Sequence, residues 1–214
     1  MKRVYLVVLA VLLSTVAAAP SHAATLKMPA APALDLGEVG PREIPVNLRL
    51  SNELRTAEFV VKTSPFDKIS YPIGAYTVAL LEKNLDRVFA DGTVTRDGDH
   101  ATDGAMILEV EIVSFDAVIP HPAYKPYSAS VVYKTTVTSP SGDVIMTLTT
   151  TGSGQTSKGM MSGFKAKSLA AESAARAMND AMTQLLQGLL NAEELSVRDD
   201  SESSQAEAAE PPAS

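Results

Sequence analysis

Three stretches of this 214-residue chain carry side chains whose types and spacing could do chemistry. The first is "RDGDHATDG", where His100 stands among Asp97, Asp99 and Asp103. Aspartates in a D-x-D spacing beside glycine can offer a hard cation several oxygens from one loop. An EF-hand loop opened by Asp97 needs a glutamate at its twelfth position, and Leu108 occupies that place. The alternative is a solvated polar turn between a helix and a strand. The second stretch holds Glu109 and Glu111, which share one face of a strand. Paired carboxylates do acid–base work when burial drives their pKa values apart. Lys134 and the threonines of the strand expected beside them can instead pair with them across a wet sheet face. The third is "GMMSGF", where Ser162 lacks the G-x-S-x-G spacing of a nucleophile elbow. Only three histidines exist, and His22 lies in the leader, so a hydrolytic triad could draw only on His100 and His121. Cysteine is absent, which excludes disulfides, thiolate catalysis, cysteine-held zinc or iron–sulfur, and a lipidated cysteine. The expectation is a protein that is not an enzyme and uses no cofactor or metal.

Two loops read better as contact surfaces. "IPHPAYKPY" (Ile119 to Tyr127) contains three prolines, with His121, Tyr124, Lys125 and Tyr127. Proline pre-orders a loop and lowers the entropy cost of binding, and tyrosine supplies rigid amphipathic area. The same loop also reads as a stiff connector whose tyrosines pack on the end of the sheet. "SKGMMSGF" (Ser157 to Phe164) sets Met160, Met161 and Phe164 between glycines. That is either an adaptable apolar tip for a membrane or partner, or a set of residues tucked under the helix that follows.

These residues need a scaffold, and the composition allows one. At 45% apolar and 20% charged, the chain can bury a core of ordinary size. Its net charge of −7 gives no electrostatic case for gripping nucleic acid. Residues 1–23 read as a secretory signal peptide: Lys2 and Arg3, an apolar run from Val4 to Val16, then Ser21-His22-Ala23 as a small-residue cleavage site. Cleavage there makes Ala24 the first residue and the product periplasmic. Residues 24–43 form an extended lead-in rich in proline and alanine. Residues 196–214 are acidic, end in Pro211-Pro212, and are expected to be disordered. The folded unit is expected over residues 44–195.

Within that unit the hydrophobic period alternates between two and 3.6. Ile44 to Leu50 alternates, and Glu58 to Thr63 is a short strand. A helix carries Val78, Leu81, Leu85, Val88 and Phe89 as its stripe, with Gly92 as its stop. A weak strand near Thr93 to Thr95 precedes three strong ones, Ala105 to Val118, Tyr127 to Thr138, and a return from Val144. "SPSGD" supplies the hairpin turn between the last two. A helix from about Lys165 to Leu190 closes the domain, with alanines that would let it lie close to the sheet. The fold class expected is α+β: two layers, a mainly antiparallel sheet with two helices packed on one face. The strand Ile44 to Leu50 is read as an edge that could pair with a second copy, making a homo-oligomer possible.

This order of elements resembles a known family. The segments "PIGAYTVALLEKNLDRVF", "ILEVEIVSFDA", "YSASVVYKTTVTSPSGDVIMTLTTTGSG" and "AAESAARAMNDAMTQLLQGL" are similar to the ABC-type transport auxiliary lipoproteins and related uncharacterised envelope lipoproteins. The resemblance spans roughly residues 72–190. It implies a non-catalytic accessory role in envelope transport or assembly, an envelope protein partner, and no catalytic residues. Members carry a lipidated cysteine and this chain has none, which implies a non-lipidated member. A second expectation is a periplasmic binder of a small hydrophobic or lipid ligand, held between sheet and helices.

Overall fold

The computed structural model describes residues 23–63, 67–90, 92–96, 104–120, 126–156 and 166–195, without the side chains of 93–96. Eight strands and three α-helices follow in the order β1 (Ala24–Thr25), β2 (Val46–Leu50), α1 (Asn52–Arg55), β3 (Phe59–Lys62), β4 (Lys68–Tyr71), α2 (Ile73–Asn84), β5 (Gly92–Arg96), β6 (Met106–Val118), β7 (Tyr127–Thr138), β8 (Val144–Thr156) and α3 (Ala166–Leu190). The class is α+β as the periodicity predicts.

The main sheet has the order β5-β2-β6-β7-β8. Its long ladders, β6 with β7 and β7 with β8, are antiparallel, while β2 runs parallel to both β5 and β6. Ile44 to Leu50 is therefore no edge. β2 lies between two partners, so the expected pairing of this strand with a second copy is corrected: its backbone groups are already used within the chain. The crossover from β2 to β5 carries α1, β3, β4 and α2. Inside it β3 and β4 form a hairpin, and β1 joins β4 in parallel to make a second sheet of order β1-β4-β3.

Side-chain parity decides which face is buried. On β7, Tyr127, Ala129, Val131, Tyr133, Thr135 and Val137 point inward. Tyr133 stands opposite Thr150 on β8, so the inward face of β8 continues through Gly152 and Gly154. Both helices lie on this face. The Thr77 hydroxyl of α2 meets the Tyr133 hydroxyl at 2.9 Å, and α3 packs over Gly152 and Gly154. The small sheet joins the same side: the Phe59 and Tyr71 rings lie 5.1 and 5.5 Å from that of Phe115, which stands opposite Val131. Phe115 faces inward because a bulge between Ile112 and Ser114 switches the parity of β6, leaving both Val113 and Ser114 outward.

The helix–sheet contact depends on two missing side chains. A methyl at Gly152 would overlap the Ala177 carbonyl oxygen and the Ala181 amide nitrogen. One at Gly154 would overlap the Ser173 carbonyl oxygen and the Ala177 amide nitrogen. Ser173, Ala177 and Ala181 recur at steps of four along α3, so the helix offers a row of small residues to a strand with no Cβ at the crossing points. The close packing expected of the alanine-rich helix is present, and the strand glycines make it closer still.

Leu81, Leu85, Val88 and Phe89 of the expected stripe are buried and Val78 is half-buried, while α2 also buries Ile73, Tyr76, Thr77, Leu80 and Asn84. Thr77 and Asn84 can lie inside because each finds partners. Asn84 donates to the Leu80 carbonyl (2.8 Å) and the Pro32 carbonyl (3.2 Å), and its Oδ1 accepts from the Leu34 amide at 2.8 Å. Arg87 also donates to the Leu34 carbonyl. These bonds hold the lead-in, whose Leu26, Leu34 and Leu36 belong to the core cluster. The buried unit thus begins ahead of residue 44. We expect Asn84→Ala to cost about 2 kcal/mol, because three buried bonds lose their partner. Hydrogen exchange at the Leu34 amide should accelerate first.

Thr135 and Thr150 bury hydroxyls with no hydrogen-bond partner among the described residues. Thr135→Val keeps the β-branched shape and removes the desolvated oxygen. Chemical denaturation is expected to show a gain of about 1 kcal/mol.

Candidate functional surface

Glu109 and Glu111 project from the outward face of β6, opposite Thr136 and Lys134 of β7. Arg49 of β2 donates to the Glu109 carboxylate at 3.1 Å, and both side chains are 48% exposed. Together with Ser51, Glu53 and Lys134 they border a groove of about 360 Å³. The face is wet, as in the alternative to acid–base work, but the ion pair formed is with Arg49 of β2 rather than with the expected Lys134 or threonines. A half-exposed ion pair of this kind is worth at most about 1 kcal/mol and is screened by salt.

The opposite face is filled. Leu185, Leu186 and Leu189 of α3, Met178 and Met182 beside them, and Leu108 and Val131 of the sheet are each 0% exposed. Among the described residues, these side chains pack between sheet and helices, where a hydrophobic ligand was expected to sit. The polar groups of this layer include tyrosines. Burial, helped by the neighbouring Tyr127, pushes the Tyr71 phenol up to about 12. Burial raises Tyr133 further, against the Thr77 hydrogen bond, and raises Tyr76 against the hydrogen bond it donates to Asn179 Oδ1. A phenol raised in the fold binds its proton more tightly there than in the unfolded chain. Its stability contribution is full below pH about 10 and is lost as pH climbs towards and past 12. Alkaline titration followed by phenolate absorbance should show late-ionising tyrosines, with loss of helical circular dichroism across that interval.

Of the expected contact residues, Tyr127 is described, and it is 2% exposed. It occupies the first inward position of β7, so it is a core residue and is removed from the contact surface. His121, Tyr124, Lys125, Met160, Met161 and Phe164 lie outside the described residues. So do His100 and the aspartates around it, the leader through His22, and the acidic tail.

A surface device that the sequence reading missed runs along β8. This strand is an edge of the main sheet, and Thr151, Ser153 and Gln155 carry the backbone groups that point away from β7. α3 reaches all three. Gln184 Nε2 donates to the Thr151 carbonyl at 3.1 Å, the Ser153 amide donates to Asp180 at 3.1 Å, and Arg176 Nη1 donates to the Gln155 carbonyl at 3.0 Å. Arg176, Asp180 and Gln184 recur every fourth residue, one helical row beside the small residues that meet the glycines. The glycines bring the helix close enough for this row to seal the strand edge. The "GSG" within a strand pattern, opposite an alanine-rich helix, was the available signal.

No family model matches the chain, and no curated protein matches it. Among solved structures it is similar to a Xanthomonas campestris protein assigned to the DUF330 family, with 12% identity and a TM-score of 0.49 over 85% of this chain and 99% of that one. A minor lipoprotein from Acinetobacter baumannii gives 9% identity and 0.43 over 70% and 92%. A lipoprotein from Caulobacter crescentus gives 10% and 0.27 over 45% and 75%. Likeness at this level brings no function with it, because one fold hosts many. No helix among the described residues is long and apolar enough to cross a membrane.

Proposed function

We propose that the chain is a non-enzymatic accessory protein of the cell envelope, exported to the periplasm by a cleaved signal peptide, that acts through protein or envelope contacts in transport or assembly. The ABC-type transport auxiliary role implied by the segment resemblance is the finer form of this reading. One observation carries it: α3 lies against β8 at Gly152 and Gly154 closer than a side chain there would permit, over a layer of buried side chains. A body built this way presents a fixed surface to a partner and has little room to close around a substrate. The half-exposed Arg49–Glu109 pair on the outer face is consistent with surface work.

The test is site-specific photocrosslinking in intact envelopes from positions on the outward faces of β6 and β7. Reproducible adducts with a subunit of a membrane transport or assembly machine are expected. Adducts with no envelope protein from any of these positions would overturn the reading.

A further inference from the structure

The outward face of the small sheet is basic in a chain of net charge −7. Lys62 on β3 stands directly opposite Lys68 on β4, and Val60 stands opposite Ser70 on the same face. Ser70 in turn stands opposite Thr25 of β1. The Leu26 amide donates to the Ser70 carbonyl at 2.8 Å, which carries the extended chain past β1. By alternation Lys27 then falls on the face of Thr25, while Leu26 turns in to the core with Ile69 and Tyr71. Lys167 and Ser168 of the first turn of α3 border Thr25 and Lys27 across a cleft of about 400 Å³. Lys27, Met28, Pro29, Ser168, Ala171 and Glu172 line a second cleft of about 310 Å³ beside it.

Four lysines thus surround one face that also shows Val60, 47% exposed. Like charges set directly opposite on neighbouring strands repel, and their cost falls when an anion lies over them. Two carboxylates also border this region, and each has a partner within the chain. Glu58 accepts from the Ser70 hydroxyl at 2.6 Å, and Glu172 is paired with Arg176 at 2.6 Å. Asp67 has further interactions of its own and accepts, through its carbonyl, from the Thr63 amide at 3.0 Å. The chain enters the domain at this same end: Ala24 pairs with Ile69, so Ala23 arrives beside Lys68, directly after the apolar leader.

From this juxtaposition we propose that Lys27, Lys62, Lys68 and Lys167 form a docking face for an anionic phospholipid surface, with Val60 and the Met28–Ala171 cleft meeting the interfacial region. The headgroup charge complements the lysines, and the leader delivers this end of the domain to a membrane during export. The inference goes beyond the accessory reading, and its test uses no protein partner, so either can fail alone.

The chain beginning at Ala24 is suitable, since the whole core cluster lies between Leu26 and Leu195. Co-sedimentation is measured with phosphatidylcholine vesicles, with and without phosphatidylglycerol, at two salt concentrations. Binding only to the anionic vesicles is expected, weakening with salt. The combined variant Lys27→Glu, Lys62→Glu, Lys68→Glu, Lys167→Glu should bind at least about tenfold more weakly, given the contribution of each lysine near an anionic surface. Val144→Glu, at an exposed position where β8 begins, should bind as the parent does. Equal binding to neutral and anionic vesicles, no binding to either, or undiminished binding by the combined variant would overturn the assignment. So would capture of an envelope protein through these four lysines in place of vesicle binding.

Discussion

Gly154→Ala is expected to destabilise the domain by about 3 kcal/mol, and Gly152→Ala by a similar amount. The cost arises because the added methyl meets main chain. At Gly154 it overlaps the Ser173 carbonyl and the Ala177 amide, and it comes within 2.8 Å of Arg176 Cβ. At Gly152 it overlaps the corresponding groups one turn on, with Ala181 Cβ at 2.8 Å. No rotamer change relieves a clash with peptide atoms, so α3 as a whole must lift from β8. That motion also withdraws Arg176, Asp180 and Gln184 from the backbone groups of Gln155, Ser153 and Thr151. Two effects should therefore appear together. Thermal melts should fall by roughly 6–12 °C, and light scattering should show new self-association through the opened edge of β8. Gly142→Ala serves as a comparison. It sits at φ +94 in an exposed hairpin turn, where the cost is backbone strain of about 1 kcal/mol and no edge is opened.

The second large effect is expected at Leu185. Its side chain is 0% exposed on the stripe of α3 that also holds Met178, Ala181, Met182 and Leu189. Leu185→Ala removes buried methyl groups and leaves a void in the packed layer, for a loss of about 3 kcal/mol in urea denaturation. Unlike the glycine variants it leaves the helix seated, so the edge of β8 stays covered and self-association should not rise. Val144→Ala, on a side chain 63% exposed, should change stability by less than about 0.5 kcal/mol. The contrast separates a loss of packing from a loss of edge protection.

The meander and the long helix were legible because pattern and turn chemistry agreed. The strand expected over 127–138 has those bounds, and the neighbouring strand and helix differ from expectation by single residues at their starts. The turn between β7 and β8 closes through the Ser139 amide donating to the Asp143 carbonyl at 2.8 Å, with Gly142 at positive φ. What stayed hidden depended on partners far away in sequence. The two residues of β1 are a strand only because β4 lies beside them. β4 itself follows a proline-bearing stretch and carries too few apolar residues to announce a period. Thr77 and Asn84 gave no sign of being core residues, since the Tyr133 hydroxyl and the Leu34 amide that satisfy them are supplied by other elements. Alternation back from Met146 and Leu148 would turn Val144 inward, but it is exposed because the register shift at Thr138 leaves an extra residue on β8.

The candidate site was legible in a different sense. The outward parity of Glu109 and Glu111 followed from alternation, but the partner that reaches Glu109 is Arg49 of β2, not the lysine or threonines of β7. The basic face of the small sheet was not legible, because Lys27, Lys62, Lys68 and Lys167 come from four segments that only the fold assembles. Tyr127 shows the limit of composition as a guide. An aromatic at the end of a proline-rich loop looks like a contact residue until strand parity turns it inward.

Native mass spectrometry of the protein recovered from intact envelopes weighs the role given to the filled interior. A mass equal to the polypeptide from Ala24, alone or joined to another protein, is the result predicted. A small molecule or metal ion retained in fixed stoichiometry would contradict the account, because it would need a chamber where Leu185, Met178 and Val131 now lie.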